Sequence, residues 1–149
     1  MLYNLASELD RTRFAQRAKA LMARGAPVEL TEKVFKTPNQ NRYAHLLIGL
    51  VAMEVGESIA FVKSYYFKRL CNPDIFVVEK EDKFAGKVEE LRSFTEISKE
   101  QMTTAIDRFV RWGTQQDWVM PAPGDESLLR ELEIMIYQQQ NNLGGLNNE

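Results

Sequence analysis

Cations interleaved with tyrosines are the residues in this 149-residue chain whose types and spacing could do chemistry. They fall in or beside two consecutive predicted helices. Single-stranded nucleic acid suits such a mixture, because cations bind its phosphate backbone and aromatic rings stack on its bases. We predict phosphate contacts from one group of residues, with a second group close by. The first group is Lys36, Arg42, Lys63, Lys68 and Arg69, and the second is Asn39, Asn41 and Tyr43.

The tyrosines leave two interpretations open. Tyr66 falls on the apolar stripe of its helix with Ile59, Val62 and Leu70, which favours a core position. Tyr43 and Tyr65 fit the core and a stacking surface equally well. Each stacked base contributes roughly 1–3 kcal/mol to binding.

The segment 37–42, Thr-Pro-Asn-Gln-Asn-Arg, predicts the start of a long apolar helix. Thr37 is the expected N-cap, Pro38 the first helical residue and Gln40 the third, where its side chain can reach back to the cap. The first turn then carries Asn39, Asn41 and Arg42. Free backbone N–H groups and the helix dipole favour an anion such as phosphate there. Capping alone explains the same pattern.

Patterns that would indicate catalysis or metal binding are missing from the sequence. It has no Walker loop, no GxSxG and no HExxH, and its single His45 and single Cys71 cannot supply the usual zinc site. Acidic residues cluster in predicted loops, which disfavours a magnesium-dependent nuclease. We therefore expect no enzyme activity, no metal and no cofactor. The longest apolar stretch is too short for a membrane span and no signal peptide is visible, so we expect a cytoplasmic protein.

Charge is distributed unevenly along the chain. Residues 1–72 carry 11 Lys and Arg against 6 Asp and Glu, a net +5, whereas residues 73–149 carry 8 against 15, a net −7. This asymmetry suggests a polyanion-binding surface separate from an acidic partner or regulatory surface. Ordinary solvated helix faces would give the same asymmetry.

The sequence predicts one mainly helical α+β domain with a small antiparallel sheet over residues 1–140, and a flexible Asn/Gly-rich tail at 141–149. Predicted helices begin at Ser7, Thr37, Ser58, Ser98 and Ser127. Predicted strands cover 27–35, 75–78 and 91–97, and the charged segment 79–90 is expected to be an exposed loop or hairpin tip.

Several motifs in order resemble the phage NinB (Orf) recombination proteins. They are the helix start Pro38–Arg42, the segment Arg92–Ser98, the helix Met102–Trp112, the sequence Gly113-Thr114-Gln115-Gln116, and Pro121. Together they extend over most of residues 1–140. The chain departs from the family pattern in the Glu/Lys-rich stretch 79–91 and in its tail.

This resemblance implies an α+β homodimer that binds single-stranded DNA and has no catalytic activity. It implies a role in loading a recombinase onto DNA coated by single-strand-binding protein, in a phage or an integrated element in a bacterial cytoplasm. The alternative is a non-catalytic protein-interaction module of a replication or recombination complex, which would use the acidic half and exposed aromatics such as Trp118. A metal-dependent nuclease is the third hypothesis.

Overall fold

The computed structural model describes residues 1–33 and 39–147, and it confirms the predicted α+β class, mainly helical with a two-stranded antiparallel sheet. Its α-helices in chain order are α1 Glu8–Arg24, α2 Gln40–Val55, α3 Ile59–Phe61, α4 Pro73–Phe76, α5 Lys99–Gln115 and α6 Glu126–Asn147. A π-helix, Val62–Leu70, follows α3, the strands are β1 Val77–Asp82 and β2 Gly86–Leu91, and Phe94–Glu96 forms a 3₁₀ turn.

Contacts group the chain into two compact units, Met1–Lys36 with Arg130–Glu149, and Thr37–Leu129. The first unit contains α1 and most of α6. Gln138 Nε2 donates hydrogen bonds to the Leu2 carbonyl (2.9 Å) and to Asp10 Oδ2 (3.1 Å), and so joins α6 to the start of the chain. α6 continues through residues 141–147, which the sequence predicts to be a flexible tail.

The ends of α1 form as predicted. The Ser7 side chain accepts a hydrogen bond from the Asp10 backbone N–H, as an N-cap does. Gly25 ends the helix with φ of 62°, a left-handed conformation that glycine adopts without steric cost.

The strand predicted at 27–35 does not form in the part that the structure describes. Residues 27–33 belong to no helix and no sheet, and Val34 and Phe35 lie outside the described residues. Alternation of apolar and polar residues gives a strand only where a neighbouring strand pairs with its backbone. The described sheet consists of β1 and β2 alone, so this segment has no such neighbour.

The second unit is built around α2, whose start differs from the prediction. Asn39 is the N-cap, because its Oδ1 accepts a hydrogen bond from the Arg42 N–H at 2.9 Å. Asn is a stronger N-cap than Thr, and the predicted Thr37 and Pro38 lie outside the described residues. Gln40 does not reach back to a cap. Its Nε2 instead donates to the Lys99 carbonyl and to Thr103 Oγ1, which ties α2 to α5.

An aromatic cluster forms the centre of this unit. The rings of Phe67, Phe76, Phe94 and Phe109 lie 5.0–5.8 Å apart in tilted and edge-on contacts. Such geometries add roughly 0.5–1.5 kcal/mol per pair beyond the area that they bury. Buried aliphatic residues of α2 and α5 complete the core, including Leu47, Ile48, Val51, Met102 and Ala105. The predicted Ser98–Gln101 capping box at the start of α5 is confirmed.

The helix predicted at 58–70 is present, but most of it is wound as a π-helix. Ser58 caps α3 through the Phe61 N–H (3.0 Å), and the i→i+5 pattern then extends from Val62 to Leu70. The Cys71 N–H donates to the Tyr66 carbonyl (3.0 Å) at its end. Fully buried Asn72 donates through Nδ2 to the Phe67 carbonyl (2.9 Å) and to Ala105 of α5 (3.2 Å).

The hairpin also differs from the prediction, because the charged segment itself forms the strands. β1 and β2 pair in an antiparallel register from Val77 opposite Leu91 to Asp82 opposite Gly86. Residues 92–97 form no strand and include the 3₁₀ turn. The charged side chains are solvated on an exposed two-stranded ribbon, so their presence does not prevent pairing.

No single helix within the described residues is long and apolar enough to cross a membrane. Gln40–Val55 and Ile59–Leu70 have the length and composition of a membrane span only when they are taken together, and they meet at a bend of 114°.

We predict that Asn72→Asp destabilises the protein by roughly 2 kcal/mol or more, because it replaces a buried donor with an acceptor facing two carbonyls. Urea unfolding followed by circular dichroism measures the change. The exposed Asn41→Ala variant serves as the control and should stay within about 0.5 kcal/mol of the parent protein. A loss of less than 0.5 kcal/mol in Asn72→Asp would show that these hydrogen bonds do not hold the π-helix to α5.

Candidate anion-binding site

Two lysines of the π-helix converge on one aromatic ring. Lys63 Nζ lies 4.5 Å from the centroid of the Phe94 ring, and Lys68 Nζ lies 5.5 Å from the same centroid. Both distances are within the range of cation–π attraction. In an α-helix, side chains five residues apart point about 0.4 of a turn away from each other. The i→i+5 winding of the π-helix brings them to the same side.

His45 of α2 lies against the same ring, with its centroid 5.0 Å from that of Phe94. His45 Nδ1 is 2.8 Å from the Asn41 carbonyl, and His45 Nε2 is 3.1 Å from Lys63 Nζ. A carbonyl can only accept and an ammonium can only donate, so we assign the proton to Nδ1 and the lone pair to Nε2. We call His45, Lys63, Lys68 and Phe94 the lysine cluster.

The surroundings of His45 and Lys68 disfavour the protonated, positively charged form of each side chain. Burial lowers the pKa of His45 below its ordinary value, the hydrogen bond to Asn41 opposes this, and the charges of Lys63, Arg42 and Lys68 lower it further. The pKa of Lys68 is also lowered, first by burial and then by Lys63, while Glu96 raises it. The cluster therefore holds several cationic groups close enough to repel one another.

Lys68 is unusual because it is buried and forms no salt bridge within the described residues, although Glu96 is close enough to raise its pKa. Its exposed fraction is 8%, and its ammonium lies over the Phe76 and Phe94 rings. Within the part of the chain that the structure describes, neither Lys63 nor Lys68 forms a salt bridge with a carboxylate. A buried charge is costly unless a counter-charge accompanies it. An anion bound at the cluster would supply that counter-charge.

Several predicted site residues lie at or near the start of α2. Arg42 is exposed and close enough to His45 to lower its pKa. Asn41 is exposed and positions His45 through its backbone carbonyl. The Asn39 side chain caps the helix by accepting from the Arg42 N–H. Lys36 lies outside the described residues.

Two predicted site residues are placed differently from the prediction. Tyr43 is buried, and its hydroxyl donates to the Pro121 carbonyl at 2.6 Å, so its ring has no face open to a base. Burial, and secondarily Asp107, raises the pKa of this hydroxyl. Arg69 is bound to Glu89 of β2 at 3.0 Å, on the hairpin side of the π-helix rather than in the lysine cluster. The apolar helix pattern pulls Tyr43 inward, and the acidic hairpin provides a partner for Arg69.

Sequence reasoning selected Lys63 and Lys68 but missed His45 and Phe94. His45 follows Arg42 by three positions and Asn41 by four, which is the spacing of neighbours on one helix face. That spacing is a usable signal for His45. Phe94 lies within the segment 91–97, which the sequence predicts to be a strand, and nothing in its sequence context indicates that two lysines lie over it.

Metal binding and thiol chemistry find no support in the described residues. Among them, no group of three or more His, Cys, Asp or Glu side chains is placed to hold a metal ion. Burial raises the pKa of the Cys71 thiol to about 11, so the reactive thiolate is scarce at neutral pH.

Comparisons of the chain with family models, curated proteins and solved structures found no match. The inference of function therefore rests on the geometry of the lysine cluster. Membership of the NinB family stays a hypothesis from the motifs.

We predict that the free energy of unfolding falls as pH is lowered from 7 towards 5.5, in part because of His45. Its pKa is below the ordinary 6.5 in the folded state, so the unfolded chain takes up the proton first and is stabilised by it. His45→Gln should show a shallower decrease over this interval. Urea unfolding at each pH measures the free energy of unfolding of both proteins. The chain has one histidine, so the variant removes every histidine titration at once. Equal slopes for the two proteins would contradict the assignment.

Proposed function

We propose that this protein binds single-stranded DNA through the lysine cluster and acts as a recombination mediator that assists recombinase loading. One observation carries the proposal: two ammonium groups share the Phe94 ring, and neither forms a salt bridge with a carboxylate within the described residues. The ordered motifs that resemble the NinB family supply the role in recombination, the expected homodimer, and single-strand-binding protein or recombinase as expected partners.

Phosphate is the anion that this cluster suits. An anionic oxygen between Lys63 and Lys68 would offset their mutual repulsion and the cost of burying Lys68. Arg42, which is exposed near His45, adds a further positive charge on that side of the unit. Contacts to phosphate carry no sequence information, so binding through them would be independent of sequence.

The rest of the chain limits the strength of this binding. The chain has a net charge of −2 and a pI near 5.6, so the attraction for DNA is local rather than global. Binding that depends on a few phosphate contacts releases few counterions, and its salt dependence is correspondingly small.

We predict that the double variant Lys63→Met/Lys68→Met weakens binding to a single-stranded oligonucleotide about tenfold or more at low salt, since charge-assisted hydrogen bonds contribute roughly 1.5–3 kcal/mol each. Each lost phosphate contact should also reduce the slope of log K against log salt by about 0.7. Fluorescence anisotropy of a labelled oligonucleotide over a salt series measures both quantities, with a duplex for comparison. Methionine keeps the apolar stem that packs on the rings.

The matched control is Lys80→Met/Lys83→Met, which removes the same total charge from the hairpin. Lys80 lies 3.9 Å from Glu90, and Lys83 lies over Phe84, so neither belongs to the cluster. Its affinity should stay close to that of the parent protein. Equal losses in the two double variants would point to net charge and reject the site. Failure of the parent protein to bind at low salt would reject DNA binding altogether.

The hairpin tip favours a second candidate function, a non-catalytic protein-interaction module. Phe84 is 93% exposed, and Asp82 Oδ1 fixes the turn by accepting from the Phe84 N–H (2.8 Å) and the Ala85 N–H (2.9 Å). Residues 77–91 carry five Asp and Glu against three Lys, which repels DNA. An exposed aromatic tip with acidic flanks suits an apolar pocket with a basic rim on a partner protein.

If the hairpin is this anchor, Phe84→Ser should weaken binding to a bacterial single-strand-binding protein at least tenfold, because a central aromatic anchor typically contributes 2 kcal/mol or more. Isothermal titration calorimetry with the purified partner measures the change. Val119→Ser removes another exposed apolar side chain of the same unit and is the control. Similar affinities for the parent protein and the Phe84 variant would exclude the tip as the anchor for this partner.

A further inference from the structure

A pair of parallel aromatic rings lies exposed at the start of the π-helix. The centroids of the Phe61 and Tyr65 rings are 5.2 Å apart, and the ring planes differ by 15°. Phe61 is 39% exposed and Tyr65 is 51% exposed. Both rings of the pair are therefore partly open to solvent.

The pair is fixed to the core by further aromatic contacts. The Tyr66 ring stands edge-on to both Phe61 and Tyr65, with centroid distances of 5.7 and 5.3 Å. On its other side, Tyr66 stacks on Trp112 of α5 at 5.2 Å, and Trp112 lies 5.6 Å from the buried Phe109 ring. Rings held in this way lose little conformational freedom when a ligand stacks on them.

The segment that carries the pair is basic, which favours an anionic ligand. Residues 58–72 include Lys63, Lys68 and Arg69 and contain no Asp or Glu. The lysine cluster and the ring pair are carried by one short segment, with the cations at positions 63 and 68 and the rings at 61 and 65. Residues two positions apart on a helix lie about half a turn from each other, so the two groups lie on different flanks and a strand that reaches both crosses the exposed side of the helix. Single-stranded nucleic acid has both an anionic backbone and flat apolar bases, and proteins bind it with this combination.

We propose that the Phe61–Tyr65 pair is a stacking subsite for bases of the single strand whose phosphates bind at the lysine cluster. This inference rests on the proposed function. A base continues the existing stack on an outer ring face, and the contact is independent of sequence because every base has a π-face. The subsite predicts a preference for single strands over duplex, in which the bases are already stacked and paired.

The experiment compares two labelled oligonucleotides of equal length, one of thymidines and one made entirely of abasic sites, which carry the same phosphates. Tyr65→Leu removes the ring but keeps an apolar side chain, and Tyr65→Phe keeps the ring without the hydroxyl. We expect Tyr65→Leu to weaken thymidine binding about tenfold, as loss of one stacked base predicts. Its abasic binding should change less than about twofold, and Tyr65→Phe should retain both affinities, since stacking needs the ring alone.

Leu70→Ala is the matched control, because it removes an exposed apolar side chain from the same π-helix. An equal loss for the two oligonucleotides, or no loss in Tyr65→Leu, would overturn the subsite. Equal affinity of the parent protein for thymidine and abasic strands would also overturn it while leaving phosphate binding intact. If the parent protein binds neither strand, the proposed function itself fails.

Discussion

The i→i+5 hydrogen bonding of Val62–Leu70 is the constraint on which the candidate site depends. It places Lys63 and Lys68 over one ring, whereas α-helical winding would separate them. Long π-helical segments are rare, so the surrounding structure must hold this one. Phe67 anchors it within the aromatic cluster, and Asn72 binds its last turn to α5. The proposed ligand binding would therefore depend on the same nine residues that the aromatic cluster and Asn72 hold in place.

Local rules predicted much of the fold. Ser7, Gly25 and the Ser98 capping box define helix ends through hydrogen bonds that a few neighbouring residues determine. Tertiary partners decided the remainder. Residues 27–33 alternate like a strand but have no neighbour in the described sheet, and the charged residues 77–91 pair because their side chains stay in solvent. Periodicity alone does not report whether a partner strand is available.

The candidate site shows the same division between features that local sequence predicts and features that tertiary packing decides. Residue type and helix assignment were enough to select Lys63 and Lys68. Neither the π-helical winding nor the contact with Phe94 is visible in the sequence, because both depend on packing between segments far apart in the chain. Tyr43 and Arg69 are also plausible DNA contacts by type, but one bonds to the Pro121 carbonyl and the other to Glu89. Ion pairing decides which of these cations remain available to a ligand, burial decides which rings do, and residue type alone reports neither.

Histidine titration by NMR, with and without a saturating single-stranded oligonucleotide, tests the central claim most directly. His45 is the chain's one histidine, so its imidazole signals are unambiguous. Neighbouring positive charges help to lower its pKa, and DNA phosphates bound at Lys63 and Lys68 would neutralise them. Our account predicts that the pKa of His45 rises when DNA is bound. An unchanged pKa in a complex whose formation is verified by anisotropy would place the DNA elsewhere and contradict the account.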